Sequence, residues 1–184
     1  MKAVTEIVVF TGHMVDLPGR KVQRFPPMLE NAARAGIAKR LAKFDAARTF
    51  GIASGARGGD ILFHEESRRI GIATVIVLPF SAMKFEETSV AGVDSGNWVA
   101  RFRQLWSETP DNLRVILNLP AGDNAYVACN TEVLRLAAQH GRMHLIALWD
   151  GVDNGKRGGT ADMVRSARQH GASVDIINMG DLKP

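Results

Sequence analysis

The sequence predicts an α/β protein: a doubly wound, mostly parallel Rossmann-like sheet in one domain over residues 1–184. Three observations carry that expectation. Strand and helix signals alternate from one end of the chain to the other. The third strand candidate, Ala73 to Leu78, is an unbroken apolar run of the kind that parallel sheets bury on both faces. Two glycine-rich turns, Ser54-Gly55-Ala56-Arg57-Gly58-Gly59-Asp60 and Gly155-Lys156-Arg157-Gly158-Gly159-Thr160, each follow an apolar run and open a segment with helical periodicity.

Ile7 to Thr11 is β-branched, apolar and bounded by Gly12, which predicts the first strand. Residues 13 to 27, with Pro18, Gly19, Pro26 and Pro27, form a loop. Leu29, Ala33, Ile37, Leu41 and Phe44 recur at helical spacing and predict a helix from Met28 to Phe44. Thr49 to Ala53 is the second strand, and Asp60 to Ile70 a helix stopped by Gly71. Pro79 ends the third strand, and residues 80 to 96 form a second long loop. Trp98, Phe102, Leu105 and Trp106 mark a helix from Asn97 to Trp106 whose aromatics belong to the core. Val115 to Leu119 and His144 to Trp149 are strands, with a helix from Tyr126 to His140 between them. A helix from Thr160 to His170 and a strand from Val174 to Ile177 complete the chain.

The 184 residues can bury a substantial core, and 46% hydrophobic with 23% charged residues is an ordinary globular composition. A net charge of +4, spread along the chain, suits anionic small molecules better than a nucleic-acid tail. One cysteine, Cys129, excludes an internal disulfide and points to a reducing cytoplasm; the residue itself reads as a small buried hydrophobe. The run Ile7 to Phe10 is too short for a secretory signal, and no segment is long enough to span a bilayer. No repeat or linker composition stands out.

A strand, a glycine turn and a helix start leave backbone N–H groups unpaired at the positive end of the helix dipole, where phosphate or carboxylate binds. Arg57 and Arg157 add planar, permanently charged donors suited to phosphate oxygens. Right-handed crossovers bring both turns, and the Thr11-Gly12-His13 segment, to the carboxyl edge of the sheet. Neither turn is a Walker A sequence, and the first is not the dinucleotide fingerprint. A tight turn needing positive φ at glycine is the competing explanation for each. Asp60 is either a helix cap or an acceptor for ribose hydroxyls. Thr160 is the cap expected for the last helix. His13 projects into the crevice or is structural, and Arg20 and Arg24 clamp phosphate or stay solvated. His64 and Glu65 lack a second cluster, so no metal site is expected. No cofactor is implied and no catalytic residue is assigned.

The chain resembles the SLOG superfamily, the Rossmann-like group that unites LOG phosphoribohydrolases, Smf/DprA proteins and predicted nucleotide-ligand sensors. The resemblance spans essentially the whole chain. It lies in Thr11-Gly12-His13-Met14-Val15-Asp16, Arg24-Phe25-Pro26-Pro27, residues 54–63 of the first turn, Leu78-Pro79-Phe80, Ser89-Val90, Trp149-Asp150-Gly151 and Gly158-Gly159-Thr160. It implies a nucleotide or nucleotide-derived phosphorylated ligand at the sheet edge, bound by a sensor. The amides of Gly55, Ala56, Gly58, Gly158 and Gly159, with Ser54, Asp60, Arg57, Arg157 and Thr160, would hold it. Gly12, His13 and Asp150 would line base or sugar, and Arg20 and Arg24 would close over it. The LOG pattern Pro-Gly-Gly-x-Gly-Thr-x-x-Glu places its catalytic glutamate at Met163, which moves no proton. An N-glycoside hydrolase acting on a nucleoside monophosphate or NAD-like substrate is the alternative, and it needs Asp162, Asp150 or Glu132 as substitute. Single-stranded DNA binding, the DprA property, is a weaker alternative: with the aromatics in core-like positions no stacking platform is expected, so a nucleic-acid partner is disfavoured. A homodimer is expected on the resemblance.

Overall fold

The computed structural model describes residues 5–153, 155 and 157–184; Lys156, one of the cations of the second glycine turn, lies outside the described residues. The elements run β1 (Glu6–Gly12), α1 (Glu30–Leu41), β2 (Thr49–Ala53), α2 (Gly59–Arg69), β3 (Ala73–Leu78), α3 (Ala82–Phe85), α4 (Trp98–Glu108), β4 (Arg114–Ile116), α5 (Asp123–His140), β5 (Arg142–Trp149), α6 (Thr160–Gln169) and β6 (Ser173–Asn178). All six strands join one sheet in the order β4-β3-β2-β1-β5-β6, and every pairing is parallel.

Alternation along each strand feeds two cores. Val8, Phe10, Ile146 and Leu148 point to the side covered by α1, α2 and α4, through residues such as Ile37, Leu62 and Phe102. Ile7, Val9, Leu145 and Ala147 point to the other side, against Cys129 and Val133 of α5 and Met163 and Val164 of α6. Burial on both faces is why the strands are apolar throughout rather than alternating. From β1 the chain steps outward to β4, then returns through α5 to place β5 on the other side of β1. The strand order reverses at the β1–β5 boundary, and this opens a crevice beyond their carboxyl ends.

The doubly wound parallel sheet agrees with the sequence expectation, as do β2 and β3 residue for residue. Helix ends shift by a few residues, α5 beginning at Asp123 and α1 ending at Leu41, and two segments differ in kind or extent. The 80–96 loop contains α3 and a π-turn at Glu86–Val90, closed by the Ala91 amide bonding Glu86 O at 2.9 Å. β4 stops at Ile116 because Asn118 takes φ 53°, although the Leu117 and Leu119 amides still donate to Leu78 O and Pro79 O. Among the described residues no helix is long and apolar enough to cross a membrane.

Gly51, in the middle of β2, is required by close packing. A Cβ there would stand 2.8 Å from Phe63 Cζ and 2.8 Å from Thr74 Cγ2, and Phe63 is itself stacked on Phe10. Gly51→Val should therefore lower the unfolding free energy by about 2 kcal/mol, measured by urea denaturation. An unchanged midpoint would contradict this packing.

Candidate ligand-binding pocket

A cavity of about 340 Å³ occupies the crevice at the β1–β5 boundary. Its floor is Thr11 and Gly12 at the end of β1, His13 just after it, and Trp149 at the end of β5. Ser54, Ala56 and Asp60 of the first glycine turn form one wall; Arg157, Gly158, Gly159 and Thr160 of the second form another. Asp123 and Tyr126, from the first turn of α5, and Arg24 close it. The two glycine turns thus share one cavity, and α2, α5 and α6 all direct their amino ends towards it. Three helix dipoles converging this way favour negative charge.

The first turn is tied inward. The Arg57 amide donates to Ser89 O at 3.1 Å, its Nε to Val15 O at 3.0 Å and its Nη1 to Ala91 O at 3.1 Å. Arg57 is 4% exposed and does not line the cavity, so the guanidinium expected to neutralise phosphate instead holds three loops together. Gly55 lies against the Phe102 ring and also faces away from the cavity. Gly58, at φ +93°, forms a bridge with Met14; a Cβ there would stand 2.7 Å from Val15 N. Its glycine is needed for that close approach.

Each turn also carries its own carboxylate. The Ala56 amide donates to Asp60 Oδ2 at 3.2 Å, and the Gly158 amide to Asp162 Oδ2 at 2.9 Å. Both acids lie four residues past the amide they receive. They tie the turns without capping the helices: α2 and α6 both begin with no side-chain capping bond, so the caps expected of Asp60 and Thr160 are not formed. Asp162 also pairs with Arg165 at 3.1 Å and does not line the cavity. Asp60 does line it, is 8% exposed, and has no ion pair among the described residues. Burial pushes its pKa up to about 7 against the pull of the Ala56 amide.

At the floor, His13 Nε2 stands 3.1 Å from Asp150 Oδ1 and 3.3 Å from the Asp150 amide. Burial lowers the His13 pKa more than Asp150 raises it, so the neutral ring accepts from that amide at pH 7. Burial opposes ionisation of Asp150, but the Val152 amide and His13 outweigh it and hold the carboxyl below its ordinary range. Asp150 supports the floor and is not itself part of the lining. In the loop after β1, Asp16 accepts the Arg24 and Phe25 amides at 2.8 and 2.9 Å and faces Arg20 Nε at 3.2 Å. Arg20 is outside the cavity. Arg24 lines it, forms no ion pair among the described residues, and its buried Nε has no hydrogen-bond partner. Burial and then Arg20 lower its pKa. Arg157 is the second lining arginine without an ion pair among the described residues.

Several lining residues escaped the sequence reading. Tyr126 and Trp149 are half-buried at the cavity wall. Tyr126 Oη bonds Ser89 Oγ at 3.0 Å and Thr88 Oγ1 at 3.2 Å, which joins α5 to the π-turn. Asn130 donates to Gly158 O at 3.1 Å. The signal available was helical spacing of Tyr126, Cys129 and Asn130 on one face of α5. His64, by contrast, is fully buried between Thr74 Oγ1 at 2.8 Å and Ser54 O at 2.7 Å, and burial pushes its pKa to about 4. Among the described residues no group of His, Cys, Asp or Glu could hold a metal ion.

No protein-family model and no curated protein matches the chain. It is similar to solved structures of DNA processing protein A. One, from Helicobacter pylori and described for its single-stranded DNA binding mode, superposes with TM-score 0.54 at 15% identity over 95% of this chain and 65% of that one. Another, from Streptococcus pneumoniae, gives 0.56 at 13% identity over 94% of this chain and 50% of that one. The chain therefore spans between half and two thirds of these neighbours' length. At such identity the likeness establishes a shared Rossmann-like fold.

Two outcomes follow from the geometry. Arg57→Ala should lower the unfolding free energy by about 2 kcal/mol, since the buried Val15 carbonyl and the half-buried Ala91 carbonyl lose their donor, and Arg57→Lys should not restore it; full stability of the alanine variant in urea would contradict the tie. The second concerns pH. His64 titrates near 4 folded and 6.5 unfolded, so its stabilisation is present above 6.5 and lost as pH falls towards 4. Asp60 titrates near 7 folded and 3.8 unfolded, so its stabilisation is present below 3.8 and lost as pH rises towards 7. The two slopes oppose each other. Asp60→Asn leaves His64 uncompensated, and its loss of stability between about pH 6.5 and 5 should exceed that of the parent by roughly 1–2 kcal/mol. Parallel pH profiles would contradict these environments.

Proposed function

We propose that the chain is a SLOG-type protein whose pocket binds a nucleotide or nucleotide-derived phosphorylated ligand. One observation carries this reading: two arginines that lack ion pairs among the described residues, Arg24 and Arg157, line a cavity entered by three helix amino ends. Phosphate sits among those guanidiniums and the amino ends of α2 and α6, within reach of both glycine turns, and the base lies against Tyr126 and Trp149. The volume of about 340 Å³ is at the small end of ligand pockets and suits a mononucleotide better than a dinucleotide.

Binding is favoured over LOG-type hydrolysis by where the acids expected to replace the missing glutamate fall. Met163 is 2% exposed in the core, and neither Asp162, Asp150 nor Glu132 lines the cavity. Glu132 is paired with Arg135 at 2.6 Å. The Helicobacter pylori neighbour favours a second reading, single-stranded DNA, with one nucleotide of the strand in this same pocket. Tyr126 and Trp149 line the same cavity as Arg24 and Arg157, the pairing of aromatic and basic residues that this second reading draws on.

Calorimetry against AMP, GMP, NAD, ADP-ribose, cyclic dinucleotides and an oligothymidylate tests both. At least one should bind, and Arg24→Ala and Arg157→Ala should each weaken it about tenfold. A steep fall of oligonucleotide affinity with salt assigns the DNA reading. No binding to any probe, or binding indifferent to both substitutions, overturns the proposal.

A further inference from the structure

We infer that Asp60 engages a phosphate oxygen of the ligand as an un-ionised acid, donating a hydrogen bond, so that filling the pocket takes up a proton. This deepens the nucleotide-binding reading and rests on it.

The two glycine turns share one plan, an amide bonded by the carboxylate four residues on, and they act as controls for each other. In the second turn Asp162 turns outward and pairs with Arg165. In the first, Asp60 is enclosed, lines the cavity, receives only the Ala56 amide and has no ion pair among the described residues. Its second oxygen has no protein partner among them and is not sealed from the cavity. A carboxylate there would face an entering phosphate as a like charge in a desolvated space, which favours protonation of one of the two. Protonated, the same oxygen becomes a donor towards an acceptor-only ligand.

The neighbouring groups do not supply that proton. Cys129 is buried with its pKa pushed up to about 12, and it donates to Val77 O. His13 is neutral above pH 7, and both burial and the Asp150 amide bonded to its Nε2 lone pair oppose its protonation. Arg24 and Arg157 are permanent cations on the phosphate side, and Asp123 is an exposed acid at the rim. Ionised Asp60 would instead accept from ribose hydroxyls, with no proton taken up.

Titration calorimetry of AMP at pH 8, in buffers of different ionisation enthalpy, separates the two. At that pH the nucleotide phosphate is already a dianion. The parent protein should take up close to one proton per AMP, and its affinity should fall about tenfold per pH unit above pH 7. Asp60→Asn should bind AMP with neither uptake nor that pH dependence. AMP binding without proton uptake by the parent protein overturns this inference alone, and that measurement decides even if the variant does not fold. Loss of binding in a folded Asp60→Asn at every pH also overturns it, because the carboxylate itself would then be required. No binding of AMP or of GMP at pH 6 to 8 overturns it together with the mononucleotide reading beneath it.

Discussion

One buried guanidinium decides the shape of the site. Arg57 joins the loop after β1, through Val15 O, to the turn after β2 and to the π-turn after α3, through Ala91 O and the Ser89–Arg57 backbone bond. These segments are far apart in sequence, and the backbone joins them only through the isolated Met14–Gly58 bridge and the Ser89–Arg57 bond. Their peptide groups would otherwise be left to water, and loops solvated in this way drift on fast timescales. Because Arg57 fixes them, Asp60 is held inside the cavity and the Ser89 hydroxyl is presented to Tyr126. The cavity is therefore built from the inside of the protein outward, with its cations added at the rim.

The fold was legible because burial on two faces leaves a strong pattern. β3 reads directly from its apolar run, and α1 from Ala33, Ile37 and Leu41, which the structure buries. Short elements carry no such pattern. α3 has four residues and the π-turn five, less than two helical turns each, so neither shows periodicity. β4 was read too long because Leu117 and Leu119 are apolar and still donate to the neighbouring strand's end, while the left-handed backbone at Asn118 ends the ladder.

The candidate site was legible as an edge of the sheet and less so as a set of side chains. Convergence of the two turns follows from parallel connectivity, which sequence alternation reveals. The direction of an individual arginine does not. Arg57 sits among glycines of the kind that clear space for a ligand, yet Gly58 admits the backbone of Met14 and Val15, and the guanidinium bonds the Val15 carbonyl beside it. Arg24 looked no different from Arg20 in sequence. Asp16 accounts for the difference: its carboxylate draws Arg20 aside and pins the Arg24 backbone amide, leaving the Arg24 side chain against the cavity. Tyr126 and Asn130 were hidden because α5 begins at Asp123, one turn before its apolar stripe becomes regular.

Backbone amide NMR of the labelled protein during addition of AMP tests the shared pocket most directly. The amides of residues 12–13, 56–60 and 158–160 should shift together along one saturation curve, whereas those of β4 and the far ends of α1 and α2 should stay in place. Shifts confined to a single glycine turn, or centred away from both, would contradict a common oxyanion pocket.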